Sequence, residues 1–561
     1  MYSNEFVAPG PGVWELETAH LSRPISRWIA SVWPPALQRG FADTARRYGF
    51  LVETMEFRMV NGFAYGQLRP VGAPAGAKGP PPKLIFKLLT KLHPEIRRRL
   101  RRCKEVFATK SWREDVHRWD NEWRGQIIER NRALQAVDPQ TLDSEGLMLH
   151  LRALLENLDG AIYRHHSLNA VAMVAPGDFL VHAEQWTGRP ASELLALLRG
   201  ASQVSLGAHE EFDEAIRALQ SDPAATAELM SDDASGLVLD RLLAREDEVG
   251  RALAAYVAAV AYRIMTGYDV ADNYVLEMPE LLLGALRAGL SRADSVTSDE
   301  PESATARIRE QVPTQHRDAF DEMLAEARAT FRIRDERTYH NDAWATGLMR
   351  RALLVAGARL ADGGRLDDPS HVVDLTPDEL FELIAGRDGP SADTVAAYAE
   401  HRTTKSTKDA PPYLGGVPSA PPPPEWLPPH GARMARCVMV NLRHMFEVPE
   451  PNEASTTIRG LAASPGVYEG PARIVVRATE FGNIRPGDVL VARTTAPSYN
   501  VLLPMLGALV TDRGGLLSHA AIVAREYGLP GVVGCSTATS QIPDGARVRV
   551  DGTKGTVEVL E

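Results

Sequence analysis

The chain has 561 residues, of which 44% are hydrophobic and 24% are charged. This balance is typical of a folded protein of several domains and excludes a disordered or fibrous chain. The net charge of −11 argues against nucleic acid as the main partner, and three distant cysteines favour a reducing compartment over a disulfide framework.

The sequence predicts no targeting or membrane segment. The first residues lack the basic and apolar regions of a signal peptide, and the longest apolar run, 252–262, is too short to span a bilayer. We therefore expect a cytoplasmic protein that has no membrane partner. No CxxC or HExxH motif is present, so no metal site is predicted.

Residues 1–385 are predicted to form a large, mostly helical domain. Apolar residues recur at helical spacing in the segments 147–163, 240–265 and 343–360. The best candidate for a strand is 57–68. We interpret the basic run 97–104 as a solvated helix face, with docking to a partner protein and contact with nucleic acid or anionic lipid as the alternatives.

Residues 386–456 are predicted to connect two domains. The stretch 386–430 is rich in Pro and Gly and includes four consecutive prolines at 421–424. Proline fixes φ and lacks a backbone donor, so we expect an extended connection there. A short helix over 433–446 and then a polar, proline-containing hinge over 448–456 are predicted to follow.

Residues 457–561 are predicted to form a small α+β domain. One helix, about 520–527, is expected to end at Gly528 and Pro530. Short β-rich runs between glycine turns lie at 472–476, 488–492, 509–511, 531–533, 548–550 and 557–560. The fold class is therefore a large helical domain followed by a small domain of strands and helix.

The segment 514–534, GGLLSHAAIVAREYGLPGVVG, carries the most chemical information. It places His519 in the first turn of a helix, directly after a glycine-rich turn. Free N–H groups and the positive end of the helix dipole lie there, and such a position is a natural phosphate site. Histidine is a good nucleophile near neutral pH. On these residues alone, a histidine that only caps the helix is the alternative.

The same string resembles the phosphohistidine signature of the PEP-utilising enzymes, in which a small swivelling domain carries a phosphoryl group. Segments 464–472 and 487–497 resemble the opening hairpin, the second strand and the T-x-P turn of that domain. The resemblance implies that His519 is the carrier. It also implies a set of residues that stabilise the phosphoryl group: Gly514, Gly515, Ser518, Ala520 and Arg525. Leu517 stands where several members have threonine, which bears on the hydrogen bonding of the imidazole and not on its role.

Residues 1–456 contain no glycine-rich phosphate loop and no ATP-grasp pattern. On the segments 332–337, 364–369 and 374–380 they resemble the substrate-binding domain of rifampicin-phosphotransferase-like proteins. The architecture is similar to rifampicin phosphotransferase without its ATP-grasp domain, or to the alpha component of phenylphosphate synthase. The resemblance implies a separate ATP-grasp partner that uses ATP and Mg²⁺, no cofactor or metal on this chain, and a small hydroxylated acceptor that is aromatic or a natural product.

Two groups of residues are candidates for binding the acceptor. Phosphoryl transfer needs cations and a base near the acceptor hydroxyl. The candidates are Arg334, Arg337, Tyr339 and His340 in the resembling segment, and His165 or His166 at the end of a predicted helix. A solvated face or a salt-bridge network is the alternative for the arginines, and an interaction with the helix dipole is the alternative for the histidine pair.

These features predict a phosphotransferase component that moves a phosphoryl group through His519. Two alternatives remain at this point. One is a binding or regulatory protein that retains the swivelling domain without transferring phosphate. The other is a dehydratase component in which phosphorylation is followed by elimination.

Overall fold

The structure is a computed structural model that describes residues 2, 5–202, 209–265, 267–291, 301–446, 457–476, 478–495 and 497–560. The elements of the N-terminal three quarters are β1 Trp14–Leu16, α1 Arg27–Tyr48, β2 Val52–Val60, β3 Phe63–Pro70, α2 Lys83–Leu92, α3 Pro94–Thr109, α4 Trp112–Arg118, α5 Arg124–Ala136, α6 Ser144–Ser167, α7 Asn169–Thr187, α8 Ala191–Ala196, α9 His209–Ser221, α10 Pro223–Leu229, α11 Ser235–Leu243, α12 Glu248–Val260, α13 Pro279–Ser291, α14 Pro301–Gln311, α15 Arg317–Phe331, α16 Ile333–Arg337, α17 Ala343–Asp362, α18 Pro377–Ile384, α19 Ala392–Thr404, β4 Tyr413–Leu414 and α20 Pro429–Phe446.

The C-terminal elements are β5 Thr457–Arg459, β6 Leu461–Ser464, β7 Val467–Val475, β8 Asp488–Ala492, β9 Leu506–Thr511, α21 His519–Tyr527, β10 Gly531–Val533, α22 Ala538–Gln541, β11 Arg547–Asp551 and β12 Thr556–Val559. Helices followed by a sheet domain confirm the predicted fold class. Within the described residues, no helix combines the length and the apolar character needed to cross a bilayer.

The chain divides into two compact units, each built from several segments. The N-terminal unit comprises Met1–Val174, Gly267–Asp272 and His340–Arg436, and the C-terminal unit comprises Ala175–Thr266, Asn273–Tyr339 and Cys437–Glu561. Each unit therefore takes residues from distant parts of the sequence. The C-terminal unit contains both the sheet domain and the helices α8 to α16.

The N-terminal unit is organised around α1. This helix packs on α6 and on β2 of an antiparallel sheet with the order β2-β3-β1-β4. Gly40 permits the close crossing of α1 and α6, because a Cβ at this position would lie 2.3 Å from the carbonyl oxygen of Tyr163. The core beside it includes the fully buried rings of Trp14, Trp28, Tyr48 and Tyr65.

In the C-terminal unit, an eight-stranded sheet has the order β5-β12-β11-β7-β8-β9-β10-β6. Its centre is parallel, from β7 through β8 and β9 to β10, and the outer pairs are antiparallel. All five residues of β8 are buried, which is typical of a strand covered on both faces. One apolar core runs from the helices of this unit to Leu517, which precedes α21, and to Ala521, which belongs to it. The helix α21 is thus seated between the sheet and these helices.

Several sequence predictions differ from the structure in local detail. The strand predicted at 57–68 is a hairpin of β2 and β3, and the helix predicted at 240–265 is two helices, α11 and α12. Helix α19 occupies part of the stretch 386–430 that was expected to be extended, since its residues contain no proline and Ser391 caps its first turn. The predicted hinge at 448–456 lies outside the described residues.

Candidate active site: a histidine at the start of helix α21

The turn between β9 and α21 presents His519 as the first residue of the helix. Gly514 adopts a φ of +100°, a conformation that favours glycine and lets the chain reverse after β9. Ser518 is the N-cap, and its hydroxyl accepts a hydrogen bond from the Ala521 N–H at 3.4 Å. At the other end, Gly528 closes the helix in the left-handed conformation, as the sequence predicted. The imidazole therefore lies at the positive end of the helix dipole.

Both ring nitrogens of His519 have hydrogen-bond partners from the segment between β8 and β9. The Thr495 hydroxyl lies 2.9 Å from Nδ1, and the Asn500 side-chain oxygen lies 3.1 Å from Nε2. Both partners are buried. Because an amide oxygen only accepts hydrogen bonds, Nε2 carries the proton in this arrangement and Nδ1 accepts from the hydroxyl. The ring is held neutral, with its lone pair on Nδ1.

Burial, with a smaller contribution from the positive charge of Arg334, lowers the pKa of His519 from its ordinary value of 6.5 to about 3. Arg334 belongs to α16, so the C-terminal unit brings this predicted acceptor-site cation to the predicted carrier. The imidazole is consequently neutral throughout the physiological range. A neutral ring keeps the lone pair that a nucleophile needs.

The glycine turn before His519 is held by the last carbonyl groups of α20. The Gly515 N–H donates to the Met445 oxygen at 2.9 Å, and the Leu517 N–H donates to the His444 oxygen at 2.9 Å. Both carbonyls belong to the last described turn of α20, and carbonyls at a helix C-terminus need partners from outside the helix. A Cβ on Gly515 would lie 2.1 Å from the His444 oxygen, so only glycine permits this approach. The turn and the helix end satisfy each other's backbone groups.

Arg525 and Glu526 hold α21 from its buried sides. The guanidinium of Arg525 donates to the carbonyl oxygens of Leu516 at 2.8 Å and Ala463 at 3.1 Å. In this conformation the group predicted to stabilise a phosphoryl group supports the turn below the histidine instead. Glu526 accepts a hydrogen bond from the Gly200 N–H at 2.8 Å. Burial, with a smaller contribution from the charge of Asp335, raises the pKa of Glu526 to about 7.

Two further predicted residues lie at the end of α16 in the same unit: Arg337 is its last residue, and Tyr339 follows two positions later. Arg337 is buried. Tyr339 is also buried, its hydroxyl donates to the Ala259 oxygen at 3.4 Å, and the Arg263 guanidinium lies 4.2 Å from its ring centroid. Burial raises the pKa of Tyr339 above its ordinary value, so the phenol stays protonated. The tyrosine is anchored at both its ring and its hydroxyl.

The three remaining candidates belong to the N-terminal unit. His165 lies 2.8 Å from the carboxylate of Asp342, measured from Nδ1 to Oδ2, and its ring centroid is 4.8 Å from that of His166. The backbone oxygen of His340 accepts from the Asn131 amide at 2.9 Å. The Asp342 carboxylate beside His165 is the kind of partner that orients a histidine acting as a general base.

Sequence reasoning missed three residues of these arrangements. Thr495 was quoted within a T-x-P turn, but no role was given to its hydroxyl. Asn500 follows the same turn five residues later and carries no motif of its own. Asp342 lies close to the segment that was singled out, yet its pairing with His165 joins positions 177 residues apart. Only the T-x-P motif offered a signal.

Comparison with known proteins agrees with this description of the C-terminal domain. Residues 484–555 match the family model "PEP-utilising enzyme, mobile domain". The matched range contains the turn, the helix and the histidine. The resemblance seen in the sequence is therefore confirmed for this domain.

Similarity to curated proteins extends beyond that domain. A rifampicin phosphotransferase from Streptomyces sp is 32% identical over 326 residues, which are 56% of this chain and 35% of the relative. An uncharacterized phosphotransferase, YvkC, from Bacillus subtilis (strain 168) is 33% identical over 232 residues, 41% of this chain and 26% of the relative. A probable phosphoenolpyruvate synthase from Pyrococcus abyssi is 44% identical over 111 residues, 20% of this chain and 14% of the relative. The chain thus spans about a third or less of the length of these relatives.

Proposed function

We propose that this chain, whose C-terminal domain is a PEP-utilising mobile domain, is a phosphotransferase component that carries a phosphoryl group on His519. The group would come from a separate ATP-using protein of the ATP-grasp class and pass to the hydroxyl of a small acceptor bound by the helical part of the chain. The observation that carries the proposal is the neutral imidazole at a helix N-terminus, held by two buried hydrogen-bond partners beside the cation of Arg334.

The hydrogen bonds around the ring allow Nε2 to become the attacking nitrogen after a change of tautomer. A hydroxyl both donates and accepts, so the ring proton can reside on Nδ1 and donate to Thr495 without loss of that contact. The lone pair then lies on Nε2, and the Asn500 side chain must turn its amide N–H toward the ring or withdraw. A Thr495 hydroxyl and an Asn500 amide can therefore support either tautomer.

Each half of the transfer balances in atoms and electrons. In the first half, a bond forms from Nε2 to a phosphorus atom of ATP, and the bond from that phosphorus to a bridging oxygen breaks, so that the group on that oxygen leaves with the electron pair. In the second half, the acceptor oxygen loses its proton to a base and bonds to phosphorus while the N–P bond breaks. The imidazole returns to its neutral form.

The positive charge of Arg334 would assist the second half of the transfer, in which the phosphoryl group moves from His519 to the acceptor. A phosphoryl group on His519 would bring negative charge to this partly exposed guanidinium, which stabilises charge that develops during transfer. Mg²⁺ would neutralise the polyphosphate in the first half. Among the described residues, no group of three His, Cys, Asp or Glu side chains is placed to hold a metal ion. In this proposal the partner protein binds Mg²⁺ together with ATP.

Incubation with radiolabelled ATP and candidate ATP-grasp proteins tests this function. We expect an acid-labile, base-stable phosphoryl adduct on the wild-type chain, absent from His519→Ala and present in the control His430→Ala, whose histidine is exposed at the start of α20. Phosphoenolpyruvate should be tried as a second donor. If no donor produces the adduct, the phosphotransferase proposal is wrong.

One observation favours the binding or regulatory alternative. The two ring nitrogens of His519 and the N–H groups of Gly515 and Leu517 are all engaged by protein atoms in this conformation. A domain that never leaves this arrangement would bind without transferring phosphate. The adduct experiment separates the two functions, and product analysis of the second half separates a stable phosphate ester from an eliminated product.

A further inference from the structure

Helix α2 exposes a row of apolar side chains. Leu84 is 83% exposed, Leu88 is 54% exposed and Leu92 is 64% exposed, and Ile85 beside them is 51% exposed. The three leucines are spaced by four residues, which places them one above the other on a single helix face. Singly exposed leucines are ordinary, whereas a continuous apolar row on one helix marks an interaction site.

A row of lysines runs beside the leucines. Lys83, Lys87 and Lys91 have the same four-residue spacing, and all three are exposed. The ten residues of α2, KLIFKLLTKL, contain no acidic side chain. The polar part of the exposed helix surface is therefore uniformly positive.

The opposite side of α2 is attached to the N-terminal unit. The Phe86 ring meets the Trp426 ring edge to face at 5.8 Å between centroids, and Thr90 is buried. The exposed leucines are therefore not the result of a helix that has come loose. One side of α2 is packed, and the other side presents alternating rows of leucine and lysine.

Helix α3 extends the positive surface. Arg97, Arg101 and Lys104 are exposed along it. Residues 83–110 contain ten Lys and Arg and two Glu, a net charge of +8 in a chain whose total is −11. We call the exposed side chains named in α2 and α3 the α2–α3 surface. Such charge separation concentrates attraction for an anionic partner on one region.

We propose that the α2–α3 surface binds the surface of an anionic lipid bilayer, with α2 lying in the plane of the interface. Apolar residues on one face and lysines on the flanking face are the composition of interfacial helices. Protein interfaces are instead depleted in lysine and enriched in aromatic residues, and the exposed side of α2 has three lysines and no aromatic residue. This balance favours lipid over a protein partner.

The binding mode follows from the two rows. Leucines 84, 88 and 92 enter the boundary between headgroups and acyl chains, while the lysine stems lie along that apolar layer and their ammonium groups reach the lipid phosphates. The arginines of α3 add attraction to the negative surface potential. The sequence analysis expected no membrane partner, because no apolar run is long enough to span a bilayer; the proposal concerns a helix that lies on the surface of a bilayer and does not span it.

Vesicle flotation with the full-length protein tests the proposal. We expect the chain to float with vesicles that contain phosphatidylglycerol and to remain in solution with vesicles of phosphatidylcholine alone. The triple variant Lys83→Gln, Lys87→Gln, Lys91→Gln should lower the partition coefficient on the order of a hundredfold, since each lysine near an anionic surface contributes about fivefold. Leu88→Glu should abolish flotation.

The control is Leu149→Glu on α6, where a leucine that is 63% exposed lies outside the surface. This variant should float like the wild type, and all variants should keep the wild-type thermal midpoint. Absence of flotation with anionic vesicles, or flotation that survives Leu88→Glu, overturns the proposal. Self-association that depends on Leu88 in sedimentation experiments, with no vesicle binding, would assign the surface to protein and would equally overturn it.

Discussion

The contact of α21 with the helices of the C-terminal unit should respond to pH through two groups of opposite sign. The docked pKa of His519 is about 3 against an ordinary value of 6.5, so the released state takes up the proton first and docking weakens as pH falls below 6.5. The docked pKa of Glu526 is about 7 against 4.5, so its contribution is full below 4.5 and is lost as pH rises through 7. Replacing His519 or Glu526 by Gln removes the titration of that residue and leaves the other one in place.

The pKa shifts set the size of each effect. Between pH 7 and pH 5, proton uptake by released His519 weakens docking by about 25-fold, whereas proton uptake by docked Glu526 strengthens it by about 40-fold. The two effects therefore oppose each other in the wild type. In Glu526→Gln the docking equilibrium should therefore fall by about 25-fold over this range, and in His519→Gln it should rise by about 40-fold.

Amide hydrogen exchange measures this equilibrium directly. The N–H groups of Gly515 and Leu517 are bonded to α20 in the docked state, so their protection reports release of the turn. Protection is read by mass spectrometry after correction for the intrinsic pH dependence of exchange, with the β2–β3 hairpin as an internal reference. Opposite slopes in the two variants are expected. Equal slopes would show that these groups do not titrate with docking, and the reasoning would be refuted.

Three more outcomes follow from the site. Gly515→Ala should destabilise the docked turn by about 1–3 kcal/mol, because its Cβ meets the His444 oxygen; protection of the same amides should fall, while Gly236→Ala, which has open space, leaves it unchanged. Thr495→Val should slow formation of the adduct by about five- to tenfold through loss of one hydrogen bond, and an unchanged initial rate contradicts this. Arg525→Met should lower the free energy of unfolding by about 2–4 kcal/mol in urea, since two buried carbonyls lose their donor, and an unchanged midpoint contradicts this.

The elements that the sequence predicted well are those with local signals. Periodic apolar residues predicted α6 and α17, and Gly528 marked the end of α21. The hairpin was predicted as one strand although Asn61 and Gly62, both with positive φ, form the turn between β2 and β3. The prolines of 386–430 led to the prediction of an extended connection, although the thirteen residues of α19 within this stretch contain no proline.

The residues of the site also divide into those that have a local sequence signal and those that have none. His519 was identified by a contiguous motif whose residues act on one another within a single turn and helix. Asn500 was not identified, because its contact with the imidazole depends on how the segment after β8 folds back toward α21. No rule of sequence spacing predicts that contact. The effect of Arg334 on the imidazole likewise depends on packing between segments 185 residues apart, which a family resemblance suggested and local chemistry alone did not.

The hydrogen bonds between the glycine turn and the end of α20 have a consequence for the order of events. The N–H groups of Gly515 and Leu517 donate to the α20 carbonyls in the docked arrangement, and both residues belong to the turn that leads into His519. Each N–H group has a single hydrogen, so it cannot donate fully to an α20 carbonyl and to a second acceptor at the same time. In the proposed transfer, a phosphoryl group on His519 would compete with the α20 carbonyls for these N–H groups, so we expect the unphosphorylated domain to be the one that stays docked.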